Sequence, residues 1–156
     1  MQALAATLVA RKPKLFAIAE ISAGDALALA TRFDCGWAYR GGIALFWDAS
    51  FKAHEVHDRY LPTGAINPFE RRGLLEVRGD VESKPCALVA AWLAQDRSRI
   101  REIRFIRAAL RAIKGDALLF LANNSASDRV GFSDLGFGLL HSENECAVYE
   151  RRGRGL

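Results

Sequence analysis

Three groups of residues in this chain have types and spacings that could do chemistry. His54 and His57 stand three apart beside Glu55 and Asp58, and on a helix that spacing would present two metal ligands on one face. The neighbouring residues read instead as a strand running into a loop, which turns the two rings to opposite faces, and no third protein ligand for zinc is evident. Arg97, Arg101, Arg104 and Arg111 recur at helical spacing and could meet nucleic-acid phosphates. A stripe of this kind is more often a solvated face, and no aromatic residues interleave for base stacking. The third group is the polar run Asn123-Asn124-Ser125 that follows the apolar stretch from Ala117 to Ala122, where asparagine commonly serves turn hydrogen bonds. Cys35, Cys86 and Cys146 are odd in number and far apart, which fits neither a disulfide framework nor paired zinc knuckles and favours packed, reduced thiols.

These groups sit in a chain able to position them. Its 156 residues suit one domain, and 51% hydrophobic residues with nine Phe suffice for an ordinary core and exclude a disordered or low-complexity protein. The net charge of +4, from 22 Lys and Arg against 18 Asp and Glu, permits a phosphate-bearing partner without demanding one. The apolar start Met1 to Ala10 lacks the positive leading region of a signal peptide. No segment reaches the roughly 18 uninterrupted apolar residues of a membrane span, so a cytoplasmic protein is expected.

Periodicity and turn residues predict the element order. Gln2 to Arg11 reads as a helix stopped by Pro13, followed by a buried strand from Leu15 to Glu20 and a second helix from Gly24 to Phe33. Arg40-Gly41-Gly42 is a tight turn between strands Trp37 to Tyr39 and Ile43 to Trp47. Ala53 to His57 adds a strand, and Asp58 to Arg72, with Pro62, Gly64 and Pro68, forms a long loop. Gly73 to Gly79 and Cys86 to Trp92 make an antiparallel hairpin joined by Asp80 to Pro85.

From Arg97 to Ile113 the period turns helical, with Ile103, Ile106, Leu110 and Ile113 on one face and Asp96 or Ser98 as cap. Ala117 to Ala122 is a strand, Phe132 to Leu140 is ambiguous between states, and Cys146 to Tyr149 is a short strand. One domain over residues 1–150 and a frayed basic tail over 151–156 complete the expectation. The order suits an α/β or α+β sandwich with helices covering mixed sheets.

Several of these segments resemble the endonuclease/exonuclease/phosphatase superfamily. Lys12-Pro13-Lys14-Leu15-Phe16-Ala17-Ile18-Ala19-Glu20 is similar to the family's helix, Pro-Asp and apolar strand ending in Gln-Glu, and Gly41-Gly42-Ile43-Ala44-Leu45-Phe46 to its next strand. Leu88 to Leu93 resembles the strand that closes in Thr-His-Leu, and the later helix and the strand Leu118 to Asn124 resemble those leading to Gly-Asp-Phe-Asn. The resemblance implies a partial four-layer αββα sandwich with mixed, largely antiparallel sheets.

It also implies divalent-metal-dependent hydrolysis of a phosphate ester, nucleic acid included, with magnesium held at Glu20 and phosphate positioned by Asn124. The family's His and Asp positions are Trp92 and Ala122, an indole that is no base and a methyl group that binds no metal or water, so a degraded site is expected. His141 lacks the family's preceding Asp; Asp128 and Asp134 are acidic residues that could substitute for the lost one.

The family's first and last strands have no counterpart between Met1 and Leu156, so truncation at both ends is expected, with self-association through the sheet edges left open. A non-catalytic binding or assembly domain on the same scaffold, or a gene fragment without separate function, are the alternatives.

Overall fold

A computed structural model describes residues 15–62, 71–95, 97–124, 131–143 and 145–153, together with the backbone of 2–4. Four antiparallel strands make the first sheet: β1 (Gln2–Leu4), β2 (Leu15–Ala19), β3 (Gly36–Arg40) and β4 (Ile43–Trp47), in the order β1-β2-β4-β3. The second has six, β5 (Phe51–Tyr60), β6 (Gly73–Val81), β7 (Lys84–Trp92), β8 (Asp116–Ala122), β9 (Gly138–Glu143) and β10 (Cys146–Arg151), ordered β5-β6-β7-β8-β10-β9. Every pairing in it is antiparallel except β7 with β8. That parallel pair needs a crossover, which α2 (Ser98–Ala112) supplies; α1 (Ala23–Phe33) connects β2 to β3.

Alternation along the strands sorts the core into three seams. Leu15, Ala17, Leu45, Val77, Leu88, Ala90, Leu118 and Phe120 meet between the sheets. The intervening residues Val89, Leu93, Leu119 and Leu121 turn outward to Ile103, Ile106 and Leu110 of α2. On the other side Ile18, Ala44 and Phe46 pack against Ala26 and Ala30 of α1. Helix, sheet, sheet and helix therefore stack in four layers, the αββα sandwich expected from the resemblance.

Local signals placed the middle of the chain well. Gly41 and Gly42 take left-handed φ of 49° and 80°, as a two-residue hairpin turn requires. α1 begins at Ser22, whose hydroxyl accepts the Asp25 amide at 3.1 Å.

Four expectations are corrected. Gln2 to Leu4 is a strand, not the start of a helix, because it pairs with the free edge of β2, Gln2 opposite Ala19 and Leu4 opposite Ala17; residues 5–11 lie outside the described residues. β5 runs on through Asp58 to Tyr60, held to β6 by backbone pairing although every side chain after Phe51 is exposed and most are polar. The β6–β7 link is only Glu82-Ser83, both at positive φ (50° and 65°), a turn conformation that their residue types do not announce. Arg151, assigned to a frayed tail, ends β10, and its guanidinium donates to the carbonyls of Gly115 (3.0 Å) and Ile113 (2.6 Å).

The ambiguous stretch from Phe132 resolves into a 3₁₀ turn at Ser133–Leu135 followed by β9. At the start of α2 Arg97 holds the cap position without a side-chain cap bond, and Asp96 lies outside the described residues. No helix among the described residues is long and apolar enough to cross a membrane.

Candidate active site

Because β7 and β8 run parallel, their last residues, Trp92 and Ala122, are register partners and end side by side. β2 ends nearby, and Glu20, the residue after it, has a φ of 59° and is exposed. Together with Arg72, Asn123 and the segment Leu93 to Gln95, Glu20 and Trp92 line a cleft of about 350 Å³. Three residues singled out far apart in sequence, Glu20, Trp92 and Ala122, thus converge on one end of the sandwich, Ala122 fully buried and closing the inter-sheet seam beneath.

Trp92 is half-buried and lies against the Gly41-Gly42 turn so closely that a Cβ on Gly42 would stand 2.6 Å from its ring. Its indole Nε1 is buried with no hydrogen-bond partner among the described residues. The ring offers area for stacking and no base.

Asn124, the residue expected to position phosphate, is 3% exposed. Its side-chain oxygen accepts from Arg99 (3.3 Å), its side-chain NH₂ donates to the Tyr149 hydroxyl (2.7 Å), and its backbone NH donates to the Glu145 carbonyl (2.7 Å). Those bonds engage both ends of the amide, the oxygen tying the end of β8 to α2 and the NH₂ tying it to β10. Asn123 lines the cleft instead, at a left-handed φ of 61°, with its NH₂ donating to the Leu93 carbonyl at 3.0 Å and its own carbonyl accepting from Arg99 at 2.7 Å.

Two charged residues that the sequence reading passed over brace this end. Glu102 is 0% exposed; its carboxylate accepts from the Arg72 guanidinium at 2.8 Å and from the Ala94 amide at 2.6 Å, tying α2 to the cleft wall. The signal was present: at 100° per residue, Arg99 and Glu102 fall on the same stripe of α2 as Ile103, Ile106 and Leu110, and a charge on an apolar stripe must have a buried partner. Arg72 and Arg99 each keep a buried Nε without a partner among the described residues.

The remaining candidates lie elsewhere. His54 is paired with Asp80 and His57 with Glu55, each at 2.6 Å, both exposed on the edge strand β5. His141 is on β9, 3.5 Å from Glu143. Asp134 is exposed and paired with Arg107, whose hydrogen bond holds its carboxyl below the usual aspartate range; Asp128 lies outside the described residues. The three cysteines are free thiols, and burial pushes Cys86 and Cys146 up to about 11.

Magnesium is bound through carboxylates and other oxygens. Among the described residues Glu20 is the one carboxylate lining the cleft, Arg72 brings a competing positive charge, and no group of three His, Cys, Asp or Glu could hold a metal ion. The described donors by themselves do not make up a magnesium coordination set.

Two face-to-face sheets between helices, with a polar cleft where β2, β7 and β8 end, define the endonuclease/exonuclease/phosphatase fold, and the chain has that fold. No family model and no curated protein sequence matches it. Solved structures do. D. rerio TDP2, humanised by 14 mutations, superposes with a TM-score of 0.67 at 12% identity over 91% of this chain and 69% of that one; TDP2 of D. rerio is also solved in complex with a single-strand DNA product. The human nocturnin catalytic domain with bound sulfate gives 0.66 at 9% identity, over 87% of this chain and 68% of that one. ANGEL2, a 2',3'-cyclic phosphatase, in complex with adenosine-2',3'-vanadate gives 0.52 at 11% identity, over 69% and 38%.

Proposed function

We propose that this chain is a phosphoester-binding protein on a hydrolase scaffold, in which the divalent-metal-dependent hydrolysis implied by the resemblance is weak or absent. The observation that carries the reading is the pair at the parallel strand ends: Trp92 and Ala122, the two positions that the resemblance matches to the family's His and Asp, sit side by side. A general base contributes roughly 10²–10⁴ to a rate, and neither side chain can supply one. Support for the retained binding role comes from the cleft itself, where the positive charge of Arg72, the polar Asn123 and the aromatic Trp92 line one space, a combination suited to a phosphate with an attached base. The single-strand DNA product held by a TDP2 neighbour and the sulfate held by nocturnin make a nucleotide-like phosphoester the reasonable ligand. A cytoplasmic setting, which free thiols suit, is part of the same proposal.

Hydrolysis of bis(p-nitrophenyl) phosphate with magnesium or EDTA tests the catalytic half. The expected rate stays near that of buffer with magnesium, and rapid magnesium-dependent turnover lost in Glu20→Ala would overturn the reading. Binding is tested by titrating the dinucleotide pTpT against tryptophan fluorescence. A saturable change that vanishes in Trp92→Phe is expected; no change in the parent protein refutes the binding role.

A second reading, assembly through a sheet edge, is favoured by β9, an outermost strand on which Leu139 and Leu140 are both exposed. Light scattering after size exclusion decides it: a concentration-independent monomer excludes assembly by this edge.

A further inference from the structure

We propose that the outer face of α2 is a second, separate surface that binds the phosphate backbone of a nucleic-acid strand without reading its sequence. Between Arg97 and Arg111 there are six arginines and one acid. The acid, Glu102, is turned inward and consumed by Arg72 and the Ala94 amide. Arg99 is buried against Asn123 and Asn124, and Arg107 is engaged with Asp134 and the Gly131 carbonyl. The remaining four, Arg97, Arg101, Arg104 and Arg111, are exposed.

At 100° per residue these four fall within about 80° of arc, and at 1.5 Å per residue they extend about 21 Å along the axis. No acid pairs with Arg97, Arg101 or Arg104 among the described residues; Arg111 also acts on Asp134, which Arg107 already holds. Three residues past Arg111, Lys114 adds another exposed cation and lines a cleft of about 380 Å³.

Among the described residues, no acid takes up the charge of Arg97, Arg101 or Arg104. A row of four exposed guanidiniums one helix wide, three of them unpaired among the described residues, matches a chain of phosphates, each a bidentate partner for Arg. Among the described residues Ile100 is the one large apolar side chain of α2 that is exposed, too little apolar area to seat the helix in a bilayer, so an anionic membrane fits less well. Without aromatic residues on the face, contacts reach backbone and not bases.

The test is fluorescence anisotropy with labelled twenty-nucleotide single-stranded and duplex DNA, using the whole chain. Four phosphate contacts on a single strand give a log–log salt slope of about −3, hence a loss of affinity of roughly 50-fold between 50 and 200 mM salt. Arg101→Glu/Arg104→Glu, both exposed and unpaired, should weaken binding at least tenfold and flatten the slope by about 1.4. The control Arg32→Glu/Lys52→Glu makes the same change in net charge away from α2 and should bind within about threefold of the parent.

Equal loss in both variants, or none in either, overturns the proposal, as does flotation with phosphatidylserine vesicles that depends on Arg101 and Arg104 while DNA binding does not. The surface is independent of the cleft: loss of pTpT binding in Trp92→Phe would leave it intact.

Discussion

Replacing Arg72 by methionine should destabilise the protein more than replacing Glu102 by glutamine, although both changes break one ion pair. The asymmetry follows from exposure: Glu102 is 0% exposed, whereas Arg72 is 14% exposed and lines an open cleft. Arg72→Met strands a carboxylate in the α2 interface with only the Ala94 amide as partner, the situation in which breaking a buried pair costs about 3–5 kcal/mol. Glu102→Gln leaves a guanidinium that can reach water through the cleft and keeps an acceptor for the Ala94 amide, so its loss is that of a charge-assisted hydrogen bond, about 1.5–3 kcal/mol.

Joining Arg72→Met with Glu102→Leu removes both charges; the Ala94 amide alone is then left without its acceptor, and the double variant should lie within about 1–3 kcal/mol of the parent. Urea unfolding followed by circular dichroism, with unchanged slopes, gives the three values. A loss for Arg72→Met smaller than that for Glu102→Gln, or a double variant no more stable than Arg72→Met alone, would refute the reasoning.

Two further outcomes follow from single contacts. Gly42→Ala should cost about 2–4 kcal/mol, combining a left-handed backbone with overlap on Trp92, and in a Trp92→Ala background only the backbone part of about 1–2 kcal/mol should remain; an undiminished cost there would mean the ring is not the obstacle. Asp134 should titrate below ordinary aspartate by carbon NMR and return toward it in Arg107→Gln. Because its folded-state value is depressed, any stability it adds is present above the unfolded value and is lost as pH falls through the folded one; an unmoved titration in the variant would sever it from Arg107.

How far the sequence carried depended on whether a signal was local. α1, the Gly41-Gly42 hairpin and the apolar stripe of α2 are legible because capping, glycine conformation and the 3.6 period act within a few residues. β1 and the outer half of β5 are not, because pairing with β2 and β6 makes them strands, and neither carries an alternating apolar pattern. The Glu82-Ser83 turn escaped for the same reason: the register of two long strands imposes a positive φ that those residues would not choose alone.

At the cleft, the family resemblance singled out Glu20, Trp92 and Ala122, and residue type alone gave the chemistry their side chains can or cannot do. Only the tertiary structure decided that Asn124 turns inward while Asn123 lines the cleft, and that Glu102 and Arg72 brace its wall. The chemistry of a side chain belongs to its own atoms, so sequence determines it. Which way the side chain points after a strand ends depends on a single left-handed residue and on partners some thirty positions away, and those exist only once the layers have packed.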